Sequence, residues 1–379
     1  MDLPHPYNEA IQRLYSYILT AHWHKGALIG PDPGLRFNFR IWRFLKSYLS
    51  MFTWNDDTYF LQCQGYWIWD NWKLYEIFGE SRYRQTACES TERVLAEQKK
   101  EGYWEYPLRE WRDRIATVDG NYAARGLLLS YERTKDTRYR DAAVRWYEFL
   151  TEKGGFQSYR DSLVIRYFAG RDGRLVPNNV TLTLTMNAEL QQATGDSRFS
   201  EFDEPMIRFL EYAIRGNGEF PYAFATDSIP GREHFLCYQY NCFQFLDLVR
   251  YWELTRNDRI YEMLKRQIAF IITGLTADVR SRYNCFKPYP DVTYYTAVMS
   301  AALLKADEIG LGPYREMALQ ASVTVLARQN RRGGFPYSRR NYGFLSDRRS
   351  YPRYLVMILK HLLIIAEHER EEQNEHEQQ

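Results

Sequence analysis

The sequence predicts an all-α protein, an (α/α)6 toroid of six helical hairpins in which the last helix pairs with the first to close the ring. Three observations predict it. One plan recurs five times within the 379 residues, the apolar positions follow the 3.6-residue spacing of a helix, and the two helices of each repeat differ in polarity. The repeats are marked by short polar breaks, GESRY at 79–83, KDTRY at 135–139, GDSRF at 195–199, NDRIY at 257–261 and GPYRE at 312–316. With Tyr83, Tyr139, Phe199, Ile260 and Tyr314 taken as equivalent, the steps are 56, 60, 61 and 54 residues, the length of a helical hairpin with its loops.

Taken in order, residues 7–24 (YNEAIQRLYSYILTAHWH) read as an amphipathic outer helix followed by the turn KGALIG. The first helix of each later pair is apolar nearly all round, as in YFLQCQGYWIW and TAVMSAALL, and therefore belongs inside. The second is amphipathic; in 138–152, Ala142, Ala143, Trp146, Phe149 and Leu150 share one face while Arg and Glu occupy the other. The last apolar stretch, 350–367, reads as an inner helix and completes a sixth pair with 7–24. Residues 1–368 are thus expected to form one toroid domain, and 369–379, polar and low in complexity, a flexible C-terminal tail.

Composition excludes several classes. Fifty basic and forty-eight acidic residues leave a formal charge of +2, without the basic excess that nucleic-acid binding relies on. No apolar run reaches the roughly 18 residues of a membrane span, and MDLPHPYNEA lacks a signal peptide's basic and apolar regions, so a cytoplasmic location is expected. Five cysteines without CxxC or CxxH spacing indicate neither a disulfide framework nor a thiolate zinc site; no metal and no cofactor are expected. Aromatic residues make up 16% of the chain, enough to suggest a ring-lined surface or cavity.

Two loops share a tighter pattern. QKKEGYW (98–104) and QNRRGGF (329–335) both fit QxxxGx(W/F), which resembles the QW motif of squalene cyclase and prenyltransferase toroids. Its expected role is local, with Gly allowing positive φ at an outer helix's end while the aromatic packs across the loop.

Because the inner helices of such a ring run parallel, the residues that open them collect at one rim. They include Asp56 and Asp57 (WNDDTYF), Asp119 (TVDGNYA), Asn241 (CYQYNCF), Asp291 (YPDVTYY) and Asp347 (LSDRRSY). Helix capping competes as an explanation for each, and suffices for Asp291 and Asp347. At 56–57 only one of two adjacent carboxylates can cap, and paired acids can have their pKa values driven apart into an acid and a base.

At these residues a family resemblance enters. NDDTYF, followed by an apolar helix and GESRYRQTA, looks like the segment of unsaturated glucuronyl hydrolases that carries their first catalytic Asp; TVDGNYAARGLLLSYERTKDTRYRDAAVRWYEFL looks like the one carrying their second. The resemblance implies hydration of the double bond of an unsaturated uronic sugar. Asp119 would donate the proton and activate water, Asp57 would support the sugar, and Asp56 stands beside them. Around this pair, Trp54, Trp104, Trp111 and Tyr238 are expected to stack on pyranose faces, Arg232, His234, Arg348 and Arg349 to meet a carboxylate, and Asn241 and Asp291 to complete the binding set.

The leading expectation is therefore a carbohydrate-active enzyme of hydrolase or lyase type that takes an oligosaccharide. Its rival takes an isoprenoid. PDVTYYTA at 290–297 looks like the PDVDDTA stretch of class II terpenoid cyclases, but Thr293 and Tyr294 stand where the acidic pair should be. A third possibility is a non-catalytic toroid that binds a glycan or lipid.

Overall fold

Every one of the five polar breaks separates two helices in the computed structural model, which describes residues 3–33, 40–49, 51–108, 111, 113–171, 173–227 and 229–378. The helices are α1 (Tyr7–His22), α2 (Arg40–Tyr48), α3 (Leu61–Phe78), α4 (Ser81–Glu97), α5 (Thr117–Thr134), α6 (Thr137–Glu152), α7 (Pro177–Thr194), α8 (Asp203–Ala213), α9 (Cys237–Thr255), α10 (Asp258–Ile272), α11 (Thr293–Glu308), α12 (Arg315–Leu326) and α13 (Pro352–Gln378). A 3₁₀ turn, Ser197–Ser200, leads into α8.

The breaks work by paired caps. Gly79, Lys135, Gly195 and Arg256 end α3, α5, α7 and α9 in the left-handed region, each returning its N–H to the carbonyl four residues back. Asp136 and Asn257 then open α6 and α10 with side-chain bonds to backbone amides, and Asp196 does the same for the 3₁₀ turn. The polarity contrast between partners is also as expected. In α11, 13 of 16 residues are buried, whereas its partner α12 buries only Ala318, Ala321, Ser322 and Val325.

Contacts sort into two units. One comprises Met1–Glu89, Leu275–Tyr283 and Lys287–Gln379; the other comprises Ser90–Gly274 with Asn284–Phe286. In the first, α13 packs against α3, α11 and α1, so the last helix does meet the first, and α12 covers α11. In the second, α7 lies between α5 and α9, with α6, α8 and α10 covering them.

Short antiparallel strands line the loops: β1 (Trp23–His24) with β2 (Ala27–Leu28), β3 (Phe156–Tyr159) with β4 (Ser162–Ile165), and β5 (Asp291–Val292), β6 (Ser338–Asn341) and β7 (Leu345–Asp347) in that order. They change how the inner helices begin. The residues preceding α3, α5, α7, α9 and α11 are Phe60, Ala116, Val176, Leu236 and Val292, and none caps through a side chain. Leu236 is left-handed, but the other four helices are entered by extended chain. Thr117 gives its N–H to the Tyr167 carbonyl and its hydroxyl to that of Arg166, and Thr293 does likewise with Tyr337 and Pro336. The capping roles expected for Asp and Asn at these openings are therefore not the ones they play.

The QxxxG loops have the expected structural job. Gln98 donates to the Gly102 carbonyl and to Ala142 in α6; Gln329 donates to the Gly333 carbonyl and to Ala10 in α1. Each loop thereby clamps onto the next outer helix. Gly is required because a Cβ at 102 or 333 would lie 2.4 or 2.3 Å from the carbonyl oxygen of Arg145 or Arg13, at φ +95 and +96.

Two features differ from expectation. The polar stretch 369–378 continues α13 as helix, where Arg315 pairs with Glu369 and Glu372 and gives the extra turns a partner. Helix α2 has no counterpart in the repeat pattern, and its Ile41 and Trp42 are exposed.

Candidate functional site

Within the first unit, the C-terminal end of α1, the loop before α3, the loop after α12 and the loop before α13 enclose a pocket of ≈ 510 Å³. It gathers Trp54, Asp56, Asp57, Arg348 and Arg349, five of the residues singled out in the sequence, and adds His22 and Arg332. Trp54 is buried, meets Tyr351 edge-on at 5.5 Å, and donates its indole N–H to Asp56 at 2.6 Å. Lys46 stands 3.5 Å from the same carboxylate. Asp56 is thus held from two sides. Asp57 is exposed, with no hydrogen-bonding or ionic partner among the described residues, which leaves it available to a ligand.

The arginines divide in the same way. Arg349 spends its guanidinium on the carbonyls of Lys46 and Phe52, fixing the chain that leads to Trp54. Arg332 and Arg348 are exposed and carry no ion pair among the described residues. His22 contacts the Ser350 carbonyl through Nε2 at 3.1 Å, so Nε2 holds the proton of the neutral ring. Burial pushes its pKa down to about 4, keeping it uncharged at neutral pH. No sequence signal pointed to His22, because its role depends on a carbonyl 328 residues away.

Asp119 lies in the second unit, as the third residue of α5, and is 6% exposed. Two residues before it, Thr117 anchors the helix start to the 166–167 loop.

Other expected ligand residues have structural duties. Trp104 is buried against Trp146 at 5.7 Å and donates to the Val94 carbonyl; Tyr238 is buried and stacked on Phe270 at 5.1 Å. Neither presents a ring face for a sugar. Trp111 is half-buried, with Tyr106 at 5.7 Å and the Arg114 guanidinium at 4.5 Å. Asn241 is fully buried and ties its amide to both backbone groups of Phe220. Arg232 lies over the Phe235 ring. Asp291 is buried between Arg280 and Arg328, at 2.7 and 2.8 Å, and serves neither as cap nor as open ligand. Asp347 accepts from the Arg349 amide and the Tyr351 hydroxyl, fixing the turn into α13.

Three groups were not legible in the sequence. Asp70 in α3 is fully buried with neither oxygen hydrogen-bonded among the described residues, and burial drives its carboxyl well above the usual range against the opposing field of Lys360. Asp203 opens α8, accepts from Tyr251, and is pushed by burial up to about 7. Finally, Glu219, Cys237 and Cys285 in the second unit bring one ligand atom each within 4.8 Å of the others. His234 lies beside them, its Nδ1 2.8 Å from Glu219, instead of offering itself to a substrate carboxylate.

No family model and no curated protein matches the sequence. Solved structures do match. Cellobiose 2-epimerase from Bacillus thermoamylovorans B4167 aligns with 14% identity over 96% of this chain and 99% of its own, TM-score 0.73. The unsaturated glucuronyl hydrolase from Bacillus sp. GL1, responsible for the degradation of glycosaminoglycan, aligns with 15% identity over 94% and 95%, TM-score 0.69. A polysaccharide lyase aligns with 11% identity over 96% and 97%, TM-score 0.67. These neighbours are (α/α)6 toroid enzymes, and the likeness establishes that fold class for this chain. Among the described residues no helix is long and apolar enough to cross a membrane.

Proposed function

We propose that the chain is a carbohydrate-active enzyme that takes a uronate-bearing oligosaccharide in the pocket beside the start of α3. The observation that carries the reading is the lining of that pocket. An exposed carboxylate, Asp57, shares it with the exposed guanidinium groups of Arg332 and Arg348, which carry no ion pair among the described residues, and with the held pair of Trp54 and Asp56. A guanidinium binds a carboxylate through two parallel hydrogen bonds, and free hydroxyls pair readily with an open Asp. An isoprenoid would call for a dry aromatic wall to stabilise a cation, and this lining does not supply one. The fold likeness to an epimerase, a hydrolase and a lyase of sugars supports the same substrate class.

The reaction we assign is hydration of the double bond in an unsaturated uronic sugar. Asp57 supports the sugar bound in this pocket; proton donation and water activation by Asp119, in the second unit, rest on the resemblance in the sequence alone. Each assignment is tested separately. Unsaturated uronic disaccharides should lose their double-bond absorbance on incubation with the protein. Asp119→Asn should reduce kcat by about 10²–10⁴-fold, the usual worth of a positioned proton donor. Asp57→Asn should weaken substrate capture, seen as a raised KM. Full activity in both variants would remove the carboxylates from the mechanism, and turnover of neutral disaccharides alone would remove the uronate.

A further inference from the structure

The loops around the start of α9 hold a set of donors that the sugar pocket does not use. Cys237 is the first residue of α9 and is 2% exposed; its Sγ lies 3.3 Å from that of Cys285, in the segment Asn284–Phe286 of the same unit. Glu219 is fully buried. One of its oxygens, Oε1, accepts from the His234 backbone amide, the other, Oε2, has no hydrogen-bond partner among the described residues, and a carboxylate oxygen of Glu219 lies with the two sulfurs inside the 4.8 Å cluster. Nδ1 of His234 is 2.8 Å from Oε2 but out of hydrogen-bonding alignment, so both atoms remain unsatisfied. A buried carboxylate oxygen without a hydrogen bond is costly, and here it faces an imidazole nitrogen on a side chain grouped with two thiols.

We propose that this cluster is a structural zinc site, with Cys237, Cys285 and Glu219 as ligands and His234 as the fourth. Sulfur, nitrogen and carboxylate oxygen in a four-donor set are the ligands zinc takes in tetrahedral sites. Two thiolates bound at the usual 2.3 Å stand about 3.8 Å apart in a tetrahedron, so the sulfurs need to open by roughly half an ångström. A disulfide requires about 2.05 Å and thus a closure of more than an ångström. As the ion binds, both thiol protons leave to solvent and two Zn–S bonds form, with Glu219 ionised and His234 neutral. The loaded site carries one net negative charge. Arg215, whose field reaches Glu219 and Cys285, stands nearby and is itself paired with Glu233. The ion would satisfy Glu219 and His234 together and fasten the 284–286 segment to the first turn of α9.

The test uses the full-length reduced protein, dialysed against chelator and titrated with cobalt alone and then with zinc. Cobalt should give thiolate-to-metal charge-transfer absorption saturating at one equivalent, zinc should displace it, and zinc should raise Tm by several degrees. Cys285→Ser, the less buried of the two thiols, and Glu219→Gln should each lower affinity at least tenfold while retaining the helical circular dichroism of the wild type. His234→Ala should do the same, and unchanged affinity in that variant would overturn its place as fourth ligand. Cys88→Ser serves as control and should leave the band intact. The proposal is overturned by absence of the charge-transfer band in reduced wild-type protein, by a band that persists in a Cys237→Ser/Cys285→Ser variant, or by no change of Tm with zinc. None of these readouts depends on sugar turnover, so the zinc site and the proposed activity fail independently.

Discussion

Removing the carboxylate of Asp291 should destabilise the protein strongly, and the size of the loss follows from what it leaves behind. One oxygen, Oδ2, accepts from Arg280 at 2.7 Å and from Arg328 at 2.8 Å. The three side chains are 7%, 12% and 4% exposed, in the order Asp291, Arg280, Arg328. Arg280 keeps a second partner in Asp278 at 2.6 Å. Among the described residues Arg328 does not: burial already lowers its pKa, Asp291 is the partner that opposes the shift, and one of its nitrogens has no hydrogen bond. Asp291→Ala therefore strands a buried cation, which costs about 3–5 kcal/mol. At 2–4 °C per kcal/mol for chains of 150–250 residues, Tm should fall by about 6–20 °C, with a chain of this length towards the low end. The assay is thermal unfolding followed by near-ultraviolet circular dichroism. A companion variant, Asp291→Ala/Arg328→Met, should recover most of the loss, because deleting both partners of a buried pair is cheaper than deleting one. A Tm for Asp291→Ala within 1 °C of the wild type would refute the reasoning and return Asp291 to the pool of free ligands.

Three further outcomes are expected. Arg332→Ala and Arg348→Ala should each raise KM for a uronate-bearing oligosaccharide with little change in kcat, and steady-state kinetics checks this. Asp203, near 3.9 when unfolded and about 7 when folded, keeps a proton in the native state that the unfolded chain has lost, so its contribution to stability falls as pH rises from about 4 to 7. Asp203→Asn should accordingly gain Tm over wild type at pH 8 and show little gain at pH 4. Gly333→Ala, whose Cβ would press on the Arg13 carbonyl at positive φ, should cost more than about 1 kcal/mol, read as a lower urea midpoint.

The hairpins were legible because their signals are local. A Gly or Asp in a break acts within four residues, and an apolar helix such as α11 announces itself by composition alone. The openings of the inner helices were misread for the opposite reason. Asp and Asn there look like caps, but Thr117 and Thr293 are held by carbonyls some 43 to 50 residues away, and no short window contains both partners. The rim aromatics failed similarly, since nothing in the sequence distinguishes a Trp that lines a pocket from Trp104, which fills the space beneath its own loop. The donor cluster at Cys237 escaped because its sulfurs are 48 residues apart and reach each other only through the fold. In the pocket, the 54–57 and 348–349 stretches were visible as openings of inner helices, whereas His22 comes from an outer helix without a chemical pattern and Arg332 from a QxxxG loop whose pattern is structural.

The clamp from Gln329 to Ala10 and the contact of His22 with Ser350 also set a timetable. At 5–20 residues per second the ribosome needs on the order of tens of seconds to make the 328 residues that separate His22 from Ser350. For most of that interval α1 and the Trp-rich α3 are complete while α13, which covers both, has not been made. The nascent chain carries those apolar faces uncovered over that interval, so the core of the first unit closes only once α13 has emerged. A chain cut short before Arg348 would lack a wall of the pocket beside α3, however complete its second unit.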